Sequence, residues 1–202
     1  MRMIYLLRHG EILTGPGKRF IGQTDCELSA RGRRQALAWK SFFERRTLSH
    51  IVCSDLRRSQ QTAELIAGAR ADQLRIEPRL REISLGDWEN QAMDAVRTAH
   101  PQAWAQRGRD LAGYRPSGGE SFRDLKDRVL PVLEDLGTVP QHDVLLVGHA
   151  GVNRVLLCSL LGMPLSNLFR LGQEYACLNC IQAQGAAYQI QGLNMPVNEA
   201  AW

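Results

Sequence analysis

The stretch Met3-Ile4-Tyr5-Leu6-Leu7-Arg8-His9-Gly10-Glu11 changes from apolar to polar within one step of the chain. An apolar run of this length, closed by such a break, is typical of a fully buried strand. In an open α/β sheet ligands bind beyond the carboxyl ends of the strands, so Arg8 and His9 would lie where chemistry occurs. Gly10 permits a sharp turn and the close approach of a ligand. We interpret His9 as a candidate nucleophile and Arg8 as a candidate anion clamp.

A second buried strand, predicted from Asp143 to Val147, ends in the same way with a glycine and His149. A third, Ile51-Val52-Cys53, leads into a helix that we expect to be capped by Ser54 or Asp55 and to end at about Ala67. Arg58 would then lie in the first turn of that helix. Its guanidinium and the free amides of the helix start both favour an anion. If the histidine-bearing strands are neighbours, His9 and His149 face each other across a crevice.

Strands and helices alternate along the chain, which predicts an α/β fold with three layers and a mostly parallel sheet covered by helices on both faces. Ser29 is a plausible N-cap for the first helix. Other predicted elements are an edge strand at Leu74–Ile76, weaker strands at about 174–181 and 187–191, and a loose tail at 194–202. We expect a single domain, 1–202, with a lid-like excursion at about 80–116 that covers the strand ends.

Composition excludes several classes of protein. The chain of 202 residues has a net charge of +4, carried by scattered arginines, so nucleic acid is a poor partner. No apolar stretch reaches membrane-spanning length, and we expect a cytoplasmic protein without a membrane partner. Five cysteines at irregular spacing argue against a disulfide framework. Cys177 and Cys180 form a lone CxxC without two further ligands, so buried thiols are favoured over a metal or redox site.

Taken together, the motifs resemble those of the histidine phosphatase superfamily, the phosphoglycerate-mutase-like fold. The resemblance covers nearly the whole chain and rests on motifs that occur in order. They are Arg8-His9-Gly10-Glu11, Gly22 with Asp25, Leu28-Ser29 with Gly32, Ser54-x-Leu56-x-Arg58-Ser59-x-Gln61-Thr62-Ala63, Glu82 with Gly86-x-Trp88-Glu89, Gly119-Glu120-Ser121, and Val147-Gly148-His149.

The resemblance implies a phosphomonoesterase in which His9 is phosphorylated and Glu82 donates and later accepts a proton. Arg8, Arg58 and His149 would stabilise the transferring phosphoryl group. Residues alone leave Glu82 open to another interpretation, a surface carboxylate paired with Arg79 or Arg81. No metal or other cofactor is expected. The predicted substrate contacts are Arg8, Arg58, Arg19, Gly22 and Gln23.

Within the superfamily the chain is most similar to α-ribazole phosphatases, which implies α-ribazole 5′-phosphate as substrate and a place in cobalamin biosynthesis. Alternatives are a broad-specificity or sugar-phosphate phosphatase, a phosphoglycerate mutase, or a non-catalytic phosphoester-binding regulator. The chain departs from the family at Ile12, Asn90 and Gly15, where Thr, Gly and a phosphate-contacting Asn are common. Lys18, Arg19 or a backbone amide could replace that Asn. Edge strands near the C-terminus could pair in a homodimer.

Overall fold

Six strands form the main sheet of the computed structural model, which describes residues 2–137, 142–185 and 187–197. A further two-stranded sheet lies outside it. In chain order the strands and α-helices are β1 Arg2–Arg8, β2 Arg19–Phe20, α1 Ala30–Glu44, β3 Leu48–Cys53, α2 Arg57–Ala67, β4 Leu74–Ile76, β5 Gln91–Ala92, α3 Met93–Ala99, α4 Pro101–Arg109, α5 Phe122–Gly137, β6 Asp143–Gly148, α6 Ala150–Leu160, β7 Leu178–Gln184 and β8 Ala187–Met195.

The order of strands in the main sheet is β4-β3-β6-β1-β7-β8. The first four run parallel to one another, whereas β7 is antiparallel to β1 and β8 is antiparallel to β7. The predicted α/β fold is therefore confirmed, with an antiparallel edge at the C-terminal end. In the register of β1 with β6, Leu7 pairs with Val147 and Arg8 with Gly148. The two histidines that follow these strands consequently emerge side by side.

The central strand β1 is buried on both faces, which is why its sequence is continuously apolar. Alternate residues point to opposite faces. Ile4 and Leu6 pack in the hydrophobic cluster that contains residues of α5 and α6, whereas Tyr5 and Leu7 pack in the one that contains residues of α1 and α2. Burying each such side chain contributes about 1.5–3 kcal/mol. Both clusters thus fix the strand whose end carries Arg8 and His9.

The excursion that we predicted at about 80–116 contains a 3-10 turn at Gly86–Trp88, the short strand β5 and helices α3 and α4. Strand β5 pairs with β2, which joins the excursion to the loop after β1. A small apolar cluster of Phe20, Trp88 and Val96 fills the junction. Among the described residues, no helix has the length and apolar character needed to cross a membrane.

Two sequence-based expectations about element ends are wrong. Helix α2 begins at Arg57, and its N-cap Leu56 makes no side-chain capping bond. Ser54 and Asp55 have other partners, since the Ser54 hydroxyl meets His149 and the Asp55 carboxylate pairs with Arg81. We expected a loose tail from Asn194, but Asn194 is still part of strand β8. Residues 198–202 of that predicted tail lie outside the described residues.

All five cysteines are free thiols. Cys177 and Cys180 are buried beside or within β7. Burial raises the pKa of the Cys177 thiol to about 11, so this group stays protonated near neutral pH. The interpretation of the CxxC as buried thiols agrees with this arrangement.

Candidate active site

The predicted nucleophile, His9, lies directly beyond β1 and is only 4% exposed. Its Nδ1 lies 2.8 Å from the carbonyl oxygen of Gly10. Because a carbonyl can only accept, Nδ1 carries the hydrogen, and Nε2 of the neutral ring keeps its lone pair. Burial, together with the positive charges of Arg58 and Arg8, holds the pKa of His9 well below its ordinary value. The ring is thereby kept in the form that can attack phosphorus.

Gly10 itself serves a different purpose from the one expected. Its φ is not in the left-handed region. A Cβ added here would lie 2.5 Å from the carbonyl oxygen of Gly32, at the start of α1. The close approach of α1, rather than a left-handed turn, therefore requires glycine at this position.

The second histidine, His149, lies beyond β6 and is fully buried. Its ring centroid is 5.2 Å from that of His9, so the structure brings the two predicted histidines together. The Ser54 hydroxyl lies 2.7 Å from His149 Nε2 and accepts a 3.4 Å bond from the Leu56 amide. The hydroxyl proton has no other acceptor within the described part of the chain, so we assign it to Nε2 and place the ring hydrogen on Nδ1. Nδ1 has no partner among the described residues, and the oxygen of a bound phosphate would supply one.

Two arginines flank the histidine pair. Arg58, only 1% exposed, donates to the carbonyl oxygens of Gly22 and Thr24, both at 2.7 Å. Arg8 donates to the Gln173 carbonyl oxygen at 2.5 Å, and its guanidinium carbon lies 3.9 Å from the ring centroid of Tyr175. The Nε atoms of Arg8 and Arg58 lack a partner among the described residues. Burial lowers the pKa of Arg58, but arginine remains charged in proteins.

The predicted proton donor, Glu82, lies on the wall of the same pocket as His9. Its carboxylate accepts from the amides of Ile83 at 2.8 Å and Gly151 at 3.0 Å. Arg79 pairs with Glu77 and Asp135, and Arg81 pairs with Asp55. The interpretation of Glu82 as one half of a surface ion pair is therefore wrong.

The loop after β1 delivers two of its three predicted substrate contacts to the pocket, Arg19 and Gly22. The Arg19 side chain runs beside Gly15, whose added Cβ would lie 3.6 Å from Arg19 Nη1. Among the groups expected to replace the missing Asn, Arg19 lies beside Gly15 and lines the pocket. Gln23 does not line the pocket; its side-chain amide donates to the Glu82 carbonyl oxygen at 3.0 Å.

Two other residues of this region, Glu89 and Asn90, have roles in its local structure. Glu89 accepts from the backbone amides of Gln23 and Leu85, at 2.9 and 3.0 Å, and so links the loop to the segment after Glu82. Asn90, where the family commonly has Gly, has a φ of +57°. Asn is among the few other residues that adopt this conformation readily.

The pocket has a volume of about 240 Å³, suited to a small molecule. Sequence reasoning missed several of its side chains, among them four from segments distant in the chain: Arg107, Arg154, Phe169 and Tyr175. Their local sequence carries no sign of a shared site, although Arg154 lies five residues after His149 on α6. Among the described residues, no three His, Cys, Asp or Glu side chains cluster as metal ligands.

Comparison with known proteins identifies the family to which this fold and this site belong. The model of the histidine phosphatase superfamily (branch 1) matches residues 4–196, and the chain belongs to that superfamily. It is a phosphoric monoester hydrolase by its fold and by its phosphatase relatives.

Individual relatives differ in their named activities. A glucosyl-3-phosphoglycerate phosphatase of Mycolicibacterium vanbaalenii is 37% identical in an alignment of 183 residues that covers 85% of this chain and 80% of that protein. A probable phosphoglycerate mutase, GpmB of Yersinia pestis, is 34% identical over 95% of this chain and 90% of its own length. The solved α-ribazole phosphatase of Shigella flexneri has a TM-score of 0.87 and 26% identity, covering 97% of this chain and 99% of that one.

Proposed function

We propose that this enzyme hydrolyses a small phosphate monoester through a phosphohistidine on His9. The observation that carries the proposal is the buried neutral ring of His9, held through Nδ1 and flanked by two arginines and His149. Nε2 would attack phosphorus in line with the leaving oxygen. Arg8, Arg58 and the Nδ1–H of His149 would neutralise charge on the phosphoryl oxygens.

Glu82 supplies the proton that the leaving group needs. In the first step the P–N bond forms, the ester P–O bond breaks, and the departing alkoxide takes a proton from Glu82. In the second step a water gives its proton to the Glu82 carboxylate while its oxygen attacks phosphorus. The P–N bond then breaks, and free phosphate and neutral His9 are regenerated.

For the substrate, the sequence-based proposal of α-ribazole 5′-phosphate, in cobalamin biosynthesis, is supported by the structural likeness to an α-ribazole phosphatase. The higher identity to a glucosyl-3-phosphoglycerate phosphatase favours a second candidate, glucosyl-3-phosphoglycerate. Similarity to GpmB favours a test for mutase activity. A mutase has to protect its phosphohistidine from water, whereas a phosphatase turns it over.

The deciding experiment measures phosphate release in EDTA from α-ribazole 5′-phosphate, glucosyl-3-phosphoglycerate and p-nitrophenyl phosphate, with His9→Ala as control. Conversion of 3-phosphoglycerate to 2-phosphoglycerate is followed in parallel. We expect the wild-type enzyme to release phosphate and His9→Ala to release none. We also expect kcat/KM for one of the two natural esters to exceed that for the other at least tenfold. Hydrolysis that persists in His9→Ala would contradict the proposed mechanism.

We also propose a cytoplasmic location and a homodimer. Strand β8 forms the edge of the main sheet, and its alternating exposure leaves a row of residues that a second copy could pair with. Light scattering after gel filtration would give the mass of the particle in solution. A monomer at micromolar concentration would contradict the dimer.

A further inference from the structure

The pocket carries more positive charge than a phosphate monoester requires. Five arginines line it, and the single carboxylate among its lining residues is Glu82; the arginines are Arg8, Arg19, Arg58, Arg107 and Arg154. A phosphate monoester has close to two negative charges near neutral pH. Arg8 and Arg58, beside the histidines, can match that charge. Arg107 and Arg154, which the proposed reaction does not use, therefore need another explanation.

Arg107 and Arg154 converge on one aromatic ring of the pocket wall. Arg107 comes from α4 in the excursion, and Arg154 comes from α6. Their guanidinium carbons lie 5.8 and 5.2 Å from the ring centroid of Phe169. Phe169 is 51% exposed, so this part of the pocket opens to solvent. Two elements far apart in the chain thus deliver two cations to the same wall.

Neither guanidinium has an acidic partner within the described part of the chain, although both are half-buried. Arg154 is held by a 2.9 Å bond from Nε to the carbonyl oxygen of Leu171, which leaves its terminal N–H groups for a ligand. Burial lowers the pKa of both groups, which reflects the cost of desolvating an unpaired charge. An anion between them would offset that cost.

Aromatic rings complete this region. The guanidinium carbon of Arg107 lies 5.7 Å from the ring centroid of Phe20 and 5.9 Å from that of Trp104. Such contacts orient the planar guanidinium while leaving its edge available for two parallel bonds to an oxyanion. The rings also give an apolar wall for the carbon skeleton of a ligand.

We propose that Arg107 and Arg154 form a second anion subsite, so that the preferred substrate is a phosphate ester whose alcohol part carries an additional acidic group, a carboxylate or a second phosphate. The inference rests on the proposed function, because the reacting phosphate of that ester has to lie at His9. It favours an acidic ester over α-ribazole 5′-phosphate, which has no acidic group besides its phosphate.

The test uses matched esters that differ in one group. 3-Phosphoglycerate and glycerol 3-phosphate differ by a carboxylate in place of a hydroxymethyl group, and fructose 1,6-bisphosphate differs from fructose 6-phosphate by a second phosphate. The readout is the ratio of kcat/KM within each pair, measured as phosphate release. We expect at least one ratio to exceed about tenfold, since a charge-assisted contact contributes roughly ten- to a hundredfold. The pair with the higher ratio identifies the acidic group.

For the pair of esters with the higher kcat/KM ratio, Arg107→Gln and Arg154→Gln should each lower that ratio about tenfold or more. The double variant should bring the ratio close to one. Arg109→Gln is the matched control, an exposed arginine on the same helix that does not line the pocket. Its ratio should equal that of the wild type. Wild-type ratios near one, or ratios unchanged in the Arg107 and Arg154 variants, would overturn the subsite while leaving the phosphatase intact. Failure to hydrolyse any ester would overturn the proposed function and the subsite with it.

Discussion

A single methyl group added at Gly151 should displace the proposed proton donor without unfolding the protein. A Cβ at this position would lie 2.3 Å from Glu82 Oε1. An ordinary carbon–oxygen contact is about 3.3 Å or longer. In the Gly151→Ala variant the Glu82 carboxylate therefore has to move away by about 1 Å. Its 3.0 Å bond from the Gly151 amide will be distorted at the same time.

The expected magnitude follows from that displacement. A misplacement of about 1 Å can cost roughly a hundredfold in rate, or about 2.7 kcal/mol of transition-state stabilisation. Folding should change little, because the clash meets the end of a side chain. Alanine is also the better helix former by up to about 1 kcal/mol, and Gly151 lies in α6. We expect Tm to stay within about 4 °C of the wild type.

The assay compares kcat/KM for an alkyl ester, glycerol 3-phosphate, with that for p-nitrophenyl phosphate. An alkoxide needs a proton as it leaves, whereas p-nitrophenolate departs as a stable anion. Gly151→Ala should therefore lose about a hundredfold on the alkyl ester and much less on the aryl ester. Gly108→Ala is the control, since an added Cβ there meets nothing within 4 Å. Equal losses on both esters, or none on the alkyl ester, would refute the reasoning about Glu82.

Three further predictions concern the histidines and the chemistry of the site. His9→Ala should lose turnover while its circular dichroism stays native; substantial residual turnover would show that another group is the nucleophile. The pKa values of His9 and His149 are both well below the ordinary value of about 6.5, so the unfolded chain takes up protons that the folded chain does not. Stability should therefore fall as pH drops below about 6.5, and Tm that is flat or rising between pH 7 and 5 would contradict this. Activity should survive dialysis against EDTA; strong inhibition reversed by a divalent ion would contradict metal-free catalysis.

The parts of the fold that local sequence determines could be predicted well. Apolar runs closed by polar breaks located β1, β3 and β6, and a period of two explains why β1 contributes to two hydrophobic clusters. The Ser29 cap was also confirmed, since its side chain accepts from the Gly32 amide. The alternation of strands and helices then indicated neighbouring parallel strands and a shared crevice for His9 and His149.

Features that depend on tertiary partners could not be predicted in this way. The Ser54 hydroxyl bonds to His149, 95 residues away, and this bond replaces the expected helix cap. Arg107 and Arg154 reach the pocket from separate helices, and nothing in their own neighbourhoods distinguishes them from surface arginines. The packing of Gly10 against Gly32 of α1 likewise could not be predicted, because this contact is visible only in three dimensions.

The central claim is the covalent phosphohistidine on His9, and trapping it is the most direct measurement. The enzyme would be mixed with radiolabelled p-nitrophenyl phosphate, quenched within milliseconds in alkali, digested and mapped by mass spectrometry. We predict an acid-labile, alkali-stable label on the peptide that contains His9, and no label in His9→Ala. Label on His149 or on a serine, or full turnover without any labelled protein, would contradict the proposed mechanism.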